Sequence, residues 1–249
     1  MRAPAPPPAT VADLAPTGKL RAAINFGNPV LALKDATTGE PHGVSVDLAR
    51  ELAKRLGVPV ELVFYDAAGK VAADATKGAW DIAFLAIDPD RAADITFSPP
   101  YVIIEGAYLV AQASPLRDNG EVDRDGTHVV VGKGSAYDLY LSRELKHATL
   151  VRTSTSAAVT DTLLAQKQEV AAGVKQQLEA DARRVTGVRL LPGRFMVINQ
   201  AVAMPRGHPA GAGYVREYVE AMKASGFVAQ ALARSGVEGA EVAPAGDAN

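Results

Sequence analysis

The stretch Ala79 to Tyr101, AWDIAFLAIDPDRAADITFSPPY, constrains this chain more than any other. Its apolar run from Ile82 to Ile87 reads as a short buried strand. The run ends in an acidic turn with a single cation, Arg91, followed by a short helical piece. Ile95-Thr96-Phe97-Ser98 then reads as an extended segment leading into Pro99-Pro100-Tyr101. Ligands of α/β proteins gather beyond the ends of such strands. The planar fork of an arginine suits a carboxylate there. The same residue can equally be a surface arginine paired with Asp88, Asp90 or Asp94, and the stretch alone leaves both roles open.

On either side the chain alternates. Lys19–Phe26 reads as a strand ended by the turn Gly27-Asn28-Pro29. Gly39-Glu40-Pro41 marks a hairpin-like excursion back to Gly43. Val46, Ala49, Leu52, Ala53 and Leu56 share one helical face, with Ser45 placed to cap the start and Gly57 to end it. Val60, Leu62 and Phe64 alternate along the strand Pro59–Tyr65, and Val71–Lys77 is a short helix candidate. This β-α-β-α-β order predicts a mostly parallel sheet covered by helices. Tyr108–Ala111 is another extended piece, and Ser114–Gly126 is a polar surface loop.

A second alternation follows. It has strands at His128–Gly132, Thr149–Arg152, Val170–Val174 and Val188–Leu191, with helices between them, the first capped by Ser135. Gln200–Met204 is apolar, and helices over Ala212–Ser225 and Phe227–Arg234 close the fold. The first ten residues hold four prolines and no apolar core of a signal peptide, so they are expected to be an extended lead-in. The tail from about Glu238 is expected to be unstructured as well.

Composition narrows the function. At 249 residues the chain can form two compact lobes. A net charge of −2 gives no footprint for nucleic acid. The absence of cysteine removes disulfides, thiolate metal sites and a cysteine nucleophile. Four scattered histidines show no HxH or HExxH spacing, so neither metal nor cofactor is expected. No apolar run approaches the roughly 18 residues that span a bilayer, so no membrane insertion is expected.

The run Gly43–Tyr101 resembles the periplasmic solute-binding proteins of polar-amino-acid ABC transporters, solute-binding family 3. The matching pieces are Gly43-Val44-Ser45-Val46-Asp47-Leu48, Leu56-Gly57, Trp80-Asp81-Ile82-Ala83, Ile87-Asp88-Pro89-Asp90-Arg91 and Phe97-Ser98-Pro99-Pro100-Tyr101. The strand before Ile87 is about two residues shorter than the family pattern. The resemblance covers roughly Lys19–Gly236.

It implies a type II periplasmic-binding-protein fold, an α/β architecture of two lobes joined by two crossing strands with the ligand cleft between them. Residues 1–18 would be a disordered lead-in, 19–108 with 201–236 the first lobe, 109–200 the second and 237–249 a disordered tail. The expected partners are a small carboxylate-bearing solute and an ABC permease, with the protein a periplasmic monomer. No export signal is recognised in this chain, which also admits a cytoplasmic variant.

The resemblance assigns Arg91 to clamp the ligand carboxylate. Phe26, Asn28 and Tyr65 fall where the family lines its cleft, with lobe packing as the other reading of the two aromatics. Gly134 and Ser135 match a Gly-(Thr/Ser) pair at a helix start facing an anion; for Ser135 a plain cap is the alternative. Two departures stand out. Ala86 and Asp88 replace the hydroxyl residues that assist the arginine, and Phe84 replaces a small or polar residue. Val174 stands where the family often has an aspartate for the ligand's ammonium, with Lys175 next to it, so within the expected class of amino acids and related organic acids a ligand with a second acidic group becomes attractive. For Lys175, pointing to solvent is the other reading. Two alternatives are carried: an enzyme like cyclohexadienyl dehydratase, using Glu105, Glu169 or Asp138 as general acid, and a stand-alone sensory module.

Overall fold

The computed structural model describes residues 5–246. In chain order the elements are α1 (Pro8–Leu14), β1 (Leu20–Asn25), β2 (Leu33–Lys34), β3 (Pro41–His42), α2 (Val44–Leu56), β4 (Val60–Tyr65), α3 (Ala68–Ala73), β5 (Ile82–Ala86), β6 (Ile95–Ala111) and β7 (His128–Gly132). Then come α4 (Ala136–Glu144), β8 (Thr149–Thr153), α5 (Val159–Gln166), β9 (Val170–Val174), α6 (Lys175–Arg184), β10 (Val188–Leu190), β11 (Met196–Pro205), α7 (Pro209–Ala224), α8 (Phe227–Arg234) and β12 (Glu241–Val242).

The main sheet runs β4-β1-β5-β11-β6-β9-β7-β8. β4, β1 and β5 are parallel and form the first lobe. β9, β7 and β8 are parallel and form the second. Antiparallel β6 and β11 cross between them, paired from Met196↔Gly106 to Pro205↔Ile95. β11 joins β5 on one side, and β6 joins β9 on the other. A two-lobed α/β fold with two crossing strands is therefore present.

The apolar run behind Arg91 behaves as its composition demands. All five residues of β5 are buried. Ile82, Phe84 and Ala86 pack into the main core, while Ala83 and Leu85 point to the other face, against Val71 and Trp80. The period of two and helix cover on both sides explain an uninterrupted apolar strand. The strand stops one residue earlier than its apolar run, since Ile87 is 43% exposed.

The extended pieces at Ile95–Ser98 and Tyr108–Ala111 are one 17-residue strand, β6. Pro99 and Pro100 lack N–H donors, and the register against β11 shifts there, between Gln200 and Ala203. The Ser98 hydroxyl repairs the gap by accepting a hydrogen bond from the Val202 N–H at 3.0 Å.

Both terminal expectations need correction. Residues 8–14 form a helix rather than a disordered lead-in, with Thr10 and Leu14 buried four positions apart. Proline is tolerated in a first helical turn, where its missing N–H has no partner to lose. The Gly211 N–H donates to the Asp13 carboxylate, tying α1 to the start of α7. In the expected disordered tail, β12 pairs with Val102 and Ile103 of β6. Residues 1–4 and 247–249 of those two segments lie outside the described residues. The cap of α2 also differs. Gly43 takes that place at φ +124°, where a Cβ would fall 2.5 Å from the Leu31 carbonyl oxygen, and Ser45 is buried inside the first turn.

Ser98→Ala leaves the buried Val202 N–H without its acceptor. A loss of about 1–3 kcal/mol is expected in chemical denaturation, with Tm lower by several degrees. An unchanged midpoint would show that the proline bulge is held by other contacts.

Candidate functional site

β5 delivers its chain end to the cleft, where a short 3-10 turn, Arg91–Ala93, turns the arginine back under the strand. Arg91 is 5% exposed. Its Nη1 donates to the Ala86 carbonyl at 3.0 Å, and its Nη2 crosses to the second lobe, donating to the Gly134 carbonyl at 2.9 Å. Its Nε is buried without a partner. Burial pushes the Arg91 pKa down to about 10, against the pull of Asp88, so the guanidinium stays charged near neutral pH.

Arg91 lines a cavity of about 30 Å³ between the lobes, room for about two water molecules. The first lobe contributes Asn28, Leu31, Phe84 and Ala86. Ser135, Tyr137, Ser156 and Val174 line it from the second, and Ile198 and Gln200 from the crossing strand β11. Gln200 is 4% exposed, and its Oε1 has no partner. Ser135 caps α4 by accepting from the Asp138 N–H, and Tyr137 donates its hydroxyl to Ser156. These backbone and hydroxyl contacts fix the second-lobe wall in place.

The lobes are closed on each other. Arg143 of α4 reaches over to Asp88 at 2.9 Å and Asp90 at 3.0 Å in the first lobe. Gly69 of α3 and Gly134 meet backbone to backbone. A Cβ on Gly69 would lie 2.7 Å from the Lys133 carbonyl oxygen and 3.0 Å from the Gly134 Cα. Gly134 has φ +71°, which also favours glycine.

Of the residues singled out in the sequence, Arg91, Ala86, Asn28 and Ser135 come together around the cavity, with Gly134 against the guanidinium. The Gly134 N–H is not offered to an anion, because it donates to the Asp138 carboxylate at 2.8 Å. Phe26, Tyr65 and Lys175 stand elsewhere. Phe26 lies 5.3 Å from Phe64, with the Lys34 Nζ 4.7 Å above its ring. Tyr65 donates to Asp74 and packs in the outer cluster of the first lobe, where burial and then Asp74 push its pKa up to about 12. Lys175 pairs with Glu105 at 3.1 Å, which accounts for its charge without a ligand.

Gln200, Tyr137, Ser156, Ile198 and Leu31 line the cavity without having been singled out. Gln200 carried a signal, a polar residue opening the apolar run QAVAM. The three carboxylates considered as acids do not line the cavity. Burial works to raise the Glu105 pKa, but Lys175 and Arg194 outweigh it and hold the carboxyl below its usual range. Burial is likewise outweighed at Glu169 by hydrogen bonds from His128. Asp138 is engaged by Arg152 and the Gly134 N–H.

Two α/β lobes on crossing strands, closed over a buried arginine, define a two-lobed binding-protein architecture. The family of bacterial extracellular solute-binding proteins, family 3, matches residues 20–235, and the chain belongs to it. Among solved structures, a variant of ArgBP from T. maritima superposes with a TM-score of 0.77 at 18% identity, covering 90% of this chain and 98% of that one. The solute receptor for L-cysteine of Neisseria gonorrhoeae gives a TM-score of 0.78 at 21% identity, covering 91% and 92%. An ancestral amino-acid-binding protein, a precursor of cyclohexadienyl dehydratase, gives 0.75 at 21%, covering 90% and 98%. No curated protein matches the chain. The protein is thus a solute-binding protein of the type II fold, and among its described residues no helix is long and apolar enough to cross a membrane.

Gly69→Ala separates closure from folding. Alanine suits the helix backbone of α3 and is expected to leave the ligand-free protein as stable or slightly more so. Its methyl group collides with the second lobe only in the closed form, so solute affinity by calorimetry is expected to fall about tenfold or more. Equal affinities would remove the glycine contact from the bound state.

Proposed function

We propose that this protein is the substrate-binding component of an ABC-type importer, taking a small carboxylate-bearing solute into the cleft under Arg91. The single observation that carries this reading is the buried guanidinium. It is charged and lines the interlobe cavity, with its Nε left without a partner. A buried donor of this kind costs free energy until an acceptor arrives. An anion closed between the lobes supplies that acceptor and stabilises the closed form by its better affinity for it.

Family membership supports transport, and amino-acid-binding structures with the same fold support a ligand of that size class. In this reading the protein acts as a periplasmic monomer and presents both lobes to a membrane permease. Binding without catalysis is favoured because Glu105 and Glu169 are held ionised by cationic or N–H partners, whereas a general acid must hold its proton near neutral pH.

The test is a thermal-shift and calorimetric screen of small carboxylates and amino acids on the wild type and on Arg91→Ala. A solute at 100 times its Kd is expected to stabilise the wild type by about 2.7 kcal/mol, several degrees in Tm. Arg91→Ala is expected to weaken that solute about 100-fold or more. A solute bound equally by both proteins would take Arg91 out of the site. Turnover of prephenate or arogenate by the wild type would move the protein to the enzyme class.

A further inference from the structure

The charge inventory of the cavity constrains the ligand further. Arg91 is its one charged lining residue, and the lining holds no Asp or Glu. Three nearby carboxylates are already committed: Asp88 to Arg143, Asp138 to Arg152, Glu105 to Lys175 and Arg194. Asp94 lines the adjoining pocket on the other side of Arg91, outside this cavity. Several neutral acceptors are committed too. Asn25 Oδ1 accepts from the Gly27 N–H and Asn28 Oδ1 from the Val30 N–H. The Ala86 and Gly134 carbonyls accept from Arg91, and the Ser135 hydroxyl accepts from the Asp138 N–H. Among the fully buried side-chain atoms of the lining, two lack a partner: one cationic donor, Arg91 Nε, and one neutral acceptor, Gln200 Oε1.

A carboxylate suits the first. The second takes a hydroxyl, but one neutral amide oxygen does not offset the cost of desolvating an ammonium group. Val174 sharpens the point. It lines the cavity from the N-cap of α6, with extended backbone angles of φ −63° and ψ 132°. An aspartate is a favoured residue at such a cap, so nothing in the local backbone excludes an acid there. Apolar Leu31, Phe84, Ala86, Val174 and Ile198 form the rest of the wall beside the guanidinium.

We infer that the cleft selects small 2-hydroxy monocarboxylates over the amino acids of the same shape. This rests on the reading above that Arg91 receives a carboxylate. The cavity of about 30 Å³ is smaller than such a ligand, so the lobes stand slightly further apart around it; Arg91 then takes the carboxylate, Gln200 accepts from the hydroxyl, and the side chain lies against the apolar wall.

Matched pairs test it, because each pair differs only in hydroxyl against ammonium: L-lactate and L-alanine, L-2-hydroxyisovalerate and L-valine, L-phenyllactate and L-phenylalanine. Calorimetry at pH 7 on the wild type is expected to show one hydroxy acid binding at least tenfold more tightly than its amino-acid partner, with Arg91→Ala abolishing the difference. Val174→Asp is expected to shift the ratio at least tenfold toward the amino acid. An amino acid bound as tightly as its hydroxy partner, or more so, overturns this inference and leaves the carboxylate reading standing. No binding from any of the six compounds overturns the inference on the wild type alone, and failure of the wider carboxylate screen removes the carboxylate reading separately.

Discussion

A charged guanidinium at the bottom of a closed cleft is the constraint around which this molecule is arranged. Arg91 cannot be left with all its donors unmet, and it finds one acceptor in each lobe, the Ala86 and Gly134 carbonyls. Because one acceptor lies across the cleft, satisfying the arginine and closing the lobes are partly the same event. Asp88 works on both sides of this link. It attracts Arg91 and holds Arg143 from the opposite lobe. In the function proposed above, the unpaired Nε is what an anion would satisfy.

In the proposed function, the crossing strands make closure a motion of whole lobes. β6 and β11 remain paired over the full length of β11, so both lobes hang on one ladder. Two prolines and a register shift sit where the ladder leaves the first lobe, and Ser98 replaces the missing backbone bond there. The ladder therefore has fewest backbone bonds at that point, while β5 is packed on both faces and holds the arginine in register.

Much of the site was legible because it is local in the chain. The apolar strand, the acidic turn and Arg91 lie within a dozen residues, and Ser135 sits one residue before a helix, where its cap is set by spacing. Phe26, Tyr65 and Lys175 read as cleft residues because the family resemblance places ligand contacts at those strand ends. Strand ends decide where a side chain begins, not where it points. Each found a nearer partner: Phe64, Asp74 and Glu105. Gln200 and Ser156 line the cavity through pairings distant in sequence, which no local pattern encodes.

By itself the sequence determined the alternation of strands and helices, the two similar halves and the family, since these follow from hydrophobic period and from short motifs. It also determined that the second-lobe position beside Lys175 is a valine. Only the tertiary structure decided that α1 packs on α7 and that β6 is one strand. It also decided that Asp88, Asp138 and Glu105 already have cations and that Arg91 is the one charged residue lining the cavity. The reason is that charge compensation acts over a few ångströms in space and takes no account of separation along the chain.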